Sequence, residues 1–502
     1  MLSSYLLPHS DRKCELTVSG VDGTGLLVRY TVPVVARSSG PVAPGLLIEL
    51  DRAAEVPLHE QIEQSIREDV RAGRLAAGTR LPSSRGLAAE LGISRGVVSE
   101  AYGQLAAEGY LVASQGAPVR VAHTVRATAE RRPSPSLLPD FAYRFDPCLP
   151  DLAGFPRDRW LRSLRAAWRQ APINAVDYPD PRGVPALRES LAEYLGRVRG
   201  AAADPEQLMI CTGFSQALSL IARWLRTRGV ESVALEDPGW HSQRLIVEQA
   251  GLTVEPIPVD REGLRIDLLE QSEAAAVIVT PAHQFPTGVV LSSERRAALI
   301  EWAERGERLI IEDDYDAELR YDRTRVGALQ GLAPERVAYV GSASKRLVPG
   351  MRLGWMLTPS WLGWPLISVK AIEDRGSEAI GQLALRDFIA RGELDRHLRR
   401  MRLRYQGRRE ALLDALARHL PAARPGKGAA GLFELVELPE EVDEAALVSA
   451  AAARGVGLEG LELHRFVPGG LPGLLLGFAG MPEPAIEQGV RLLGEAYAVA
   501  AS

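Results

Sequence analysis

The sequence predicts a multidomain chain in which a small unit of short helices precedes a large α/β unit. Three observations carry this prediction. Two short helices that begin at serine residues lie within residues 84–108 and are separated by Gly92. A run rich in proline and serine, residues 133–136, then interrupts the helical patterns. Beyond it, short apolar strands alternate with amphipathic helices, which favours a mostly parallel sheet with helices on both faces.

The composition is that of an ordinary globular protein. Its 502 residues are 46% apolar and 25% charged, which excludes wholesale disorder. No run of about 18 apolar residues occurs and the N-terminus becomes polar early, so we expect a cytoplasmic protein without membrane association. Three widely separated cysteines exclude a disulfide framework or a zinc ribbon, and no metal site is predicted. The chain has only four lysines, so chemistry that needs a lysine amine has few candidates.

The chain divides into four predicted segments. Residues 1–45 form an N-terminal extension, which is either a flexible leader or the result of a start codon placed too far upstream. Short strand pairing around residues 26–35 is the alternative for this segment. Residues 46–122 form the small unit, residues 123–140 a linker, and residues 141–502 the large unit.

The small unit has the pattern of a winged helix-turn-helix. Apolar residues four positions apart predict a helix over residues 57–73. Two further helices are expected to be capped by Ser84 and Ser94. Residues 110–113 and 119–122 then read as a hairpin. In this architecture the second helix of the pair enters the major groove of DNA with its N-terminal residues against the bases.

Arginines near the starts of these two helices are the candidate base readers. Ser94 and Arg95 lie at the start of the second helix, and Arg85 lies near the start of the first. An arginine fork binds guanine O6 and N7 together, which suits Arg85 and Arg95 to this role. On periodicity alone, a protein-binding helical module with a solvated charged face is the alternative.

Residues 57–122 resemble the GntR-type winged-helix domain nearly end to end, including the segments GTRLPSSRGLAAELGISRGVVSEAYGQLAAEGYL and the following SQG. The resemblance implies that the arginines and the wing glycine contact double-stranded promoter DNA. Gly86 stands where the family usually has glutamate, and Gly96 replaces a common polar residue, which puts the base preference there in doubt. The predicted DNA-binding residues are Arg74, Arg85, Ser94, Arg95, Ser99 and Gly116.

One of the four lysines lies in a segment suited to a phosphorylated aldehyde cofactor. Lys345 follows a predicted strand within GSASKRLVPGMRLGW. Its amine is able to form a Schiff base, while Ser342 and Ser344 offer hydrogen bonds to a phosphate and Arg352 offers a positive charge. Such a segment alone is weak evidence, because a lone lysine is usually a surface charge.

Two further segments fit the same cofactor. Residues 212–216, TGFSQ, follow a strand and open a helix, and free N–H groups at a helix start bind anions; Ser215 and Gln216 lie there. Asp313 lies at the end of another strand, where a carboxylate is able to keep a pyridine nitrogen protonated. The joint occurrence of these segments in chain order is a stronger signal than any one of them.

The ordered set resembles the fold type I aminotransferases over residues 141–502, and the whole chain after residue 45 resembles the MocR subgroup of GntR regulators. The resemblance implies pyridoxal 5′-phosphate (PLP) on Lys345, a homodimer with composite sites, and Tyr178 reaching the cofactor phosphate of the other subunit. It also implies that Trp240 stacks on the cofactor ring and that Tyr315 bonds its hydroxyl. The predicted cofactor-binding residues are Lys345, Asp313, Tyr315, Trp240, Ser215, Gln216, Ser342, Ser344, Arg352 and Tyr178.

Two departures from the aminotransferase pattern bear on the ligand. Gly480 stands where an arginine that grips the substrate carboxylate is expected, and Phe285 replaces the asparagine before PTG. His283 and Gln284 lie beside it, and for His283 a hydrogen-bonded structural role is favoured over a catalytic base. Loss of the arginine favours a domain that senses PLP itself or an effector without an α-carboxylate, and the predicted small-molecule effector is PLP, an amino acid or an amine.

Three functions remain open at this stage. A PLP-responsive transcription regulator, with transamination limited to a half-reaction, is favoured. An active aminotransferase with an accessory DNA-binding domain is the second hypothesis. The third is a DNA-binding protein whose large unit is a dimerisation scaffold without a cofactor.

Overall fold

The structure is a computed structural model of the chain. It describes residues 48–113, 117–123, 141–321, 326–426, 428 and 430–500, together with the backbone of two strands near the N-terminus. The chain splits into two compact units, Met1–Leu137 and Leu138–Ser502. Their boundary falls in the segment predicted to be a linker, of which residues 124–140 lie outside the described residues.

The first unit begins with a strand pair and continues with three helices and a hairpin. Strands β1 and β2 run antiparallel, as one of the alternatives for residues 1–45 anticipated. Helix α1 buries Ile62, Ile66 and Val70 in one core with residues of α2 and α3, so its predicted apolar stripe is confirmed. The elements are β1 (Glu15–Val21), β2 (Leu27–Pro33), α1 (Leu58–Arg71), α2 (Ser84–Leu91), α3 (Arg95–Ala107), β3 (Leu111–Val112) and β4 (Arg120–Val121).

The caps of the two short helices are side-chain hydrogen bonds. Ser94 caps α3 as predicted, and its hydroxyl accepts from the backbone N–H of Val97. The prediction that Ser84 caps α2 is wrong, because the hydroxyl of Ser83 accepts from the N–H of Gly86. Two adjacent serines have the same capping preference, and only the position of the helix start separates them.

The turn between α2 and α3 has a partner that the sequence pattern does not reveal. Gly92 ends α2 in the left-handed region at φ 63°, which costs glycine little. Nη2 of Arg52 donates to the carbonyl oxygens of Leu91 and Gly92, at 3.2 and 2.9 Å. A cation therefore binds the C-terminal carbonyls of α2, where the helix dipole favours positive charge.

The second unit is built on an eight-stranded sheet in the order β6–β13–β12–β11–β10–β7–β8–β9. Five neighbouring strands, from β12 to β8, run parallel, and β13 and β9 run antiparallel to their neighbours. This confirms the mostly parallel sheet. The strands of this unit before the C-terminal part are β5 (Tyr143–Arg144), β6 (Leu208–Cys211), β7 (Ser232–Asp237), β8 (Thr253–Asp260), β9 (Gly263–Leu264), β10 (Ala276–Val279), β11 (Leu309–Asp314), β12 (Val337–Ser342) and β13 (Gly354–Leu357).

Helices cover both faces of this sheet. Alternate residues of one strand enter different cores: Ile310 packs with α9 residues on one face, and Ile311 packs with α6 and α11 residues on the other. The helices are α4 (Arg157–Gln170), α5 (Pro185–Arg199), α6 (Phe214–Thr227), α7 (His241–Gln249), α8 (Ile266–Leu269), α9 (Ser293–Arg305), α10 (Ala343–Arg346), α11 (Ser360–Glu373), α12 (Ala379–Ala390) and α13 (Glu393–His419), with 3-10 turns at Ile173–Val176, Pro205–Gln207 and Pro349–Met351.

A smaller α/β part completes the chain. Its four-stranded sheet has the order β14–β15–β18–β17, and β16 pairs in parallel with β5. Its elements are β14 (Arg424–Pro425), β15 (Phe433–Glu437), α14 (Glu444–Ala452), β16 (Val456–Gly457), β17 (Glu459–Gly460), a 3-10 turn at Leu461–His464, β18 (Gly473–Gly477) and α15 (Glu483–Ala500). Within the part of the chain that the structure describes, no helix has the length and apolar character needed to cross a membrane.

Candidate functional site

A cavity of about 370 Å³ opens at the edge of the large sheet where its parallel strands end. Carboxyl ends of parallel strands meet at one edge, so the residues that follow them converge even when they are far apart in the chain. Eight of the ten predicted cofactor residues line this cavity: Ser215, Trp240, Asp313, Tyr315, Ser342, Ser344, Lys345 and Arg352.

Lys345 reaches the cavity because α10 starts immediately after β12. Ser342 is the last residue of the strand and the cap of the helix, and its hydroxyl accepts from the N–H of Ser344. The helix is only four residues long, Ala343–Arg346, so the third residue after the strand end stays at the sheet edge. This local geometry places a lysine amine in the cavity.

The start of α6 and Arg352 form the anion-binding end of the cavity. Gly213 caps α6 with φ 128° and ψ −177°, a conformation that side-chain-bearing residues rarely adopt. A Cβ at this position would lie 3.4 Å from Nη2 of Arg352. The Arg352 guanidinium therefore lies beside the free N–H groups at the start of α6, and both attract an anion.

Asp313 is the buried carboxylate of the cavity. It is the last residue but one of β11, pairs with Val340 of β12 and accepts a hydrogen bond from Nε2 of Gln243 at 3.2 Å. Burial raises the pKa of Asp313 well above its usual range, and the neighbouring charges of Asp314 and Asp316 add to the effect. A carboxylate in such surroundings gains strongly from a nearby cation or a protonated ring nitrogen.

Tyr315 and His283 share a buried hydrogen-bond group. The Tyr315 hydroxyl lies 2.9 Å from Nδ1 of His283, and the same nitrogen lies 2.8 Å from Oδ2 of Asp316. Burial raises the pKa of the Tyr315 phenol, so the hydroxyl stays protonated at neutral pH. His283 is 3% exposed, in agreement with a hydrogen-bonded structural role.

Aromatic and aliphatic side chains form the remaining wall. The rings of Trp240 and Phe214 lie 6.2 Å apart, and both line the cavity. Phe285 occupies the place where aminotransferases have asparagine and packs in a buried cluster with Cys148 and Leu475, against which Trp240 also packs. This wall offers hydrophobic contact rather than an anchor for a carboxylate.

Gln216 and Tyr178 do not line the cavity of their own chain. The Gln216 amide is occupied elsewhere: its Oε1 accepts from the N–H of Thr212 at 2.8 Å, and its Nε2 donates to Asp374 at 2.8 Å. Both ends of the amide thus bond residues outside the cavity, and the cofactor contact of Gln216 stays a prediction. Tyr178 is 76% exposed, with the Arg375 guanidinium 5.5 Å from its ring centroid.

The structure corrects the position assigned to the missing arginine. Gly480 is exposed and follows the end of β18, and it does not line the cavity. Leu475, within β18, packs into the cluster beside the cavity with Trp240 and Tyr315. The strand residue that faces the site is therefore Leu475, because successive side chains of a strand point to opposite faces.

Sequence reasoning missed six other residues that line the cavity: Pro147, Cys148, His241, Gln243, Thr280 and Glu459. Each lies in a loop, a turn, a short strand or a helix with no local motif. What these residues share is only that the folded chain brings them to the same cavity. No signal in one sequence could have selected them.

A buried ion network lies directly behind the cavity. Oδ2 of Asp314 lies 2.7 Å from Nε of Arg199 and 3.5 Å from Nη2 of Arg346, with all three side chains at most 4% exposed. Arg346 also pairs with Glu318 at 2.9 Å. Asp314 and Arg346 are the chain neighbours of Asp313 and Lys345, so the network fixes the backbone that carries both cavity residues.

In the first unit, the predicted base readers are accessible. Arg85, Ser94, Arg95 and Ser99 are all exposed, and Nε of Arg95 lies 3.4 Å from the Ser84 hydroxyl oxygen. Arg74 is exposed and pairs with Asp69 at 2.6 Å, so it carries a partly neutralised charge. Gly116 lies outside the described residues.

Comparison with known proteins gives the same two parts. A family model described as bacterial regulatory proteins, gntR family, matches residues 58–121. A second model, aminotransferase class I and II, matches residues 154–459. The crystal structure of Pyrococcus horikoshii kynurenine aminotransferase superposes with a TM-score of 0.67 at 27% identity, covering 72% of this chain and 92% of that one.

Two relatives extend over both parts. The probable rhizopine catabolism regulatory protein MocR of Rhizobium meliloti is 32% identical over 474 residues, which covers 90% of this chain and 96% of the relative. The pyridoxine biosynthesis transcriptional regulator PdxR of Corynebacterium glutamicum is 33% identical over 448 residues, which covers 88% of this chain and 96% of the relative.

The cavity fits PLP, the cofactor of this aminotransferase fold. A lysine amine, a buried carboxylate, a guanidinium beside a helix start and an aromatic wall all lie in one cavity. The winged helix-turn-helix and the large unit with its cofactor cavity occur together in one chain, and the two relatives match this chain across both parts. The chain therefore belongs to the MocR subgroup of GntR-type transcription regulators.

Proposed function

We propose that the large unit is a sensor that binds PLP on Lys345 and that its occupancy changes how the first unit binds promoter DNA. The observation that carries the proposal is the convergence of Lys345, Asp313 and Arg352 in a cavity whose nearby β18 residue is Leu475. Such a cavity has the groups that bind the cofactor but, on β18, no arginine to bind a substrate carboxylate. A regulator that senses PLP needs to bind the cofactor and does not need to bind a substrate carboxylate.

The proposed roles follow from the geometry. Lys345 would hold the cofactor covalently, and Asp313 would keep the pyridine nitrogen protonated, so that the bound group supplies an electron-withdrawing ring. Arg352, with Ser215, Ser342 and Ser344, would bind the phosphate at the start of α6. Trp240 would stack on the ring.

A homodimer completes this proposal. Tyr178 is too exposed to serve its own cavity, and an exposed tyrosine with a cation over its ring is suited to enter a second subunit. A ligand shifts an equilibrium only if it binds one arrangement better than another, so cofactor binding must favour one arrangement of the dimer. The protein would act in the cytoplasm, where promoter DNA is accessible.

An active aminotransferase is the second candidate, and the complete lysine and aspartate pair of the cavity favours it. The discriminating experiment measures amino-group transfer from a panel of amino acids to 2-oxo acids by the PLP-loaded protein. The regulator proposal predicts at most one half-reaction per cofactor. Sustained turnover over many cycles would establish the enzyme instead.

Replacing Gly213 by alanine is expected to weaken PLP binding about tenfold. The added Cβ would occupy a glycine-only conformation beside Arg352, with strain of about 1–3 kcal/mol at the start of α6. Gly200→Ala is the control, since Gly200 also has a positive φ but would meet nothing within 4 Å. Titration of both variants with PLP, followed by cofactor absorbance, tests this. Equal affinities would remove Gly213 and Arg352 from the proposed phosphate site.

Replacing Arg95 by alanine is expected to relax sequence preference, at a cost of about 1–3 kcal/mol on the specific duplex. Arg95 is exposed at the start of α3, where side chains meet base edges in this architecture. Arg74→Ala should weaken binding to the specific duplex and to a random duplex by the same factor, because a phosphate contact carries no sequence information. Titrations on both duplexes at one salt concentration measure this. Equal losses on both duplexes for Arg95→Ala would contradict the assignment.

A further inference from the structure

The cavity wall carries one acidic side chain that the cofactor roles do not use. Glu459 lies on β17, lines the cavity and keeps 37% of its side chain exposed. The Cys148 thiol is also on the wall: burial chiefly raises its pKa, Lys345 lowers it, and the carboxylates of Asp316 and Glu459 raise it further. Cys148, Lys345 and Glu459 therefore line one cavity.

The positively charged lysine and arginine side chains of the wall already have a role in the proposed cofactor site. Among the described lining residues, the lysine and arginine side chains are those of Lys345 and Arg352, and both belong to the proposed cofactor site. Leu475, Phe285 and Cys148 make the neighbouring surface apolar. A ligand with a carboxylate would thus face hydrocarbon and the negative charge of Glu459.

A buried histidine fixes the position of the Glu459 carboxylate. Its Oε2 lies 3.0 Å from Nε2 of His464, which is 1% exposed. The ring of His464 packs against Phe285 at 5.1 Å between centroids. A carboxylate anchored in this way has a fixed position on the wall, and a fixed acceptor loses less conformational entropy when it binds a cation.

From this arrangement we propose that the effector is a diamine, with one amine available to the cofactor and a second, charged amine bound by Glu459. The inference rests on the proposed function, because it names the class of ligand that reaches the same cavity. A charged hydrogen bond to an ammonium gives discrimination between ligands that otherwise have the same length and apolar surface.

The test uses full-length, PLP-loaded protein and three probes with the same four-carbon chain: 1,4-diaminobutane, butylamine and 4-aminobutanoate. Dissociation constants are measured by calorimetry and by the change in cofactor absorbance. The diamine is expected to bind at least about tenfold more tightly than butylamine, as one charge-assisted hydrogen bond provides, and 4-aminobutanoate is expected to bind most weakly.

Glu459→Gln separates charge from structure. Glutamine keeps an oxygen acceptor for His464, so folding and butylamine affinity should be unchanged while diamine affinity falls to the butylamine level. Glu462→Gln is the matched control, since Glu462 lies three residues away, is half exposed and pairs with Arg465. It should bind all three probes as the wild type does.

Three outcomes would overturn the inference alone, with cofactor absorbance intact. The first is equal affinity for the diamine and butylamine, and the second is unchanged diamine binding by Glu459→Gln. Tightest binding of 4-aminobutanoate would also overturn it and would point to an anion receptor. Loss of cofactor absorbance from the wild-type protein would overturn the proposed function, and this inference with it.

Discussion

Replacing Asp314 by asparagine is expected to lower the free energy of unfolding of the large unit by about 3–5 kcal/mol, because it leaves the buried Arg199 without its paired carboxylate and Arg346 with Glu318 alone. Arg199 and Arg346 are at most 4% exposed and both contact Oδ2 of Asp314. Although burial opposes ionisation, the charges of these two arginines hold the pKa of Asp314 below its usual range. The carboxylate is thus ionised, and asparagine removes its charge with little change of shape.

Tryptophan fluorescence during urea unfolding measures this effect selectively. All eight tryptophans lie after residue 141, so the signal reports only the large unit. Asp267→Asn is the control, because its ion pair with Arg265 is exposed and exposed pairs contribute little. An unfolding midpoint of Asp314→Asn equal to that of the control would show that the buried network does not hold the fold.

The same ion network predicts that the free energy of unfolding of the large unit depends on pH. The pKa of Asp314 in the folded state is lower than in the unfolded chain, where aspartate titrates near about 3.9. Its contribution to stability is therefore complete above that pH and is lost as the pH falls through the folded-state pKa. The difference in unfolding free energy between wild type and Asp314→Asn should shrink below about pH 4. A difference that stays constant down to about pH 2 would argue against an ionised Asp314.

Replacing Lys345 by arginine is expected to abolish covalent retention of PLP. Arginine keeps the positive charge, but its guanidinium stays protonated and does not form an imine with an aldehyde. Borohydride reduction of the PLP-loaded wild-type protein should fix one cofactor per chain on the peptide that contains Lys345. The arginine variant should fix none.

Lys370 is the internal control for this experiment. It is fully buried, and its amine is bonded to Asp374 and Ser377, so it should remain unmodified. Fixation on Lys370, or fixation by the Lys345→Arg variant, would place the cofactor elsewhere. A wild-type protein that fixes no cofactor would favour the scaffold hypothesis.

The cofactor segments were predictable because their chemistry restricts both residue type and position. An imine needs a lysine, and the chain has few lysines. A ring nitrogen needs a carboxylate at a strand end, and Asp313 lies there. Parallel strands then bring such residues to one edge whatever their separation in sequence, which is why Lys345 and Asp313 share a cavity.

Positions that depend on side-chain direction could not be predicted. The apolar run LLLGFAG does not show which of its residues face the cavity. The prediction placed Gly480 at the position of the carboxylate-binding arginine, although Leu475 is the residue that packs beside the cavity. Gln216 lies at the right helix start, but its amide turns to Thr212 and Asp374. Arg199 resembles a surface charge at a helix end and is buried because Asp314 meets it from another element.

The central claim is that PLP bound at Lys345 alters binding to promoter DNA. The direct measurement is the affinity and footprint of the full-length protein on a promoter fragment recovered from genomic DNA, with and without PLP, for the wild type and Lys345→Ala. We expect PLP to change the affinity or the footprint of the wild type and to leave both unchanged for the variant. Identical affinity and footprint in all four combinations would contradict the account.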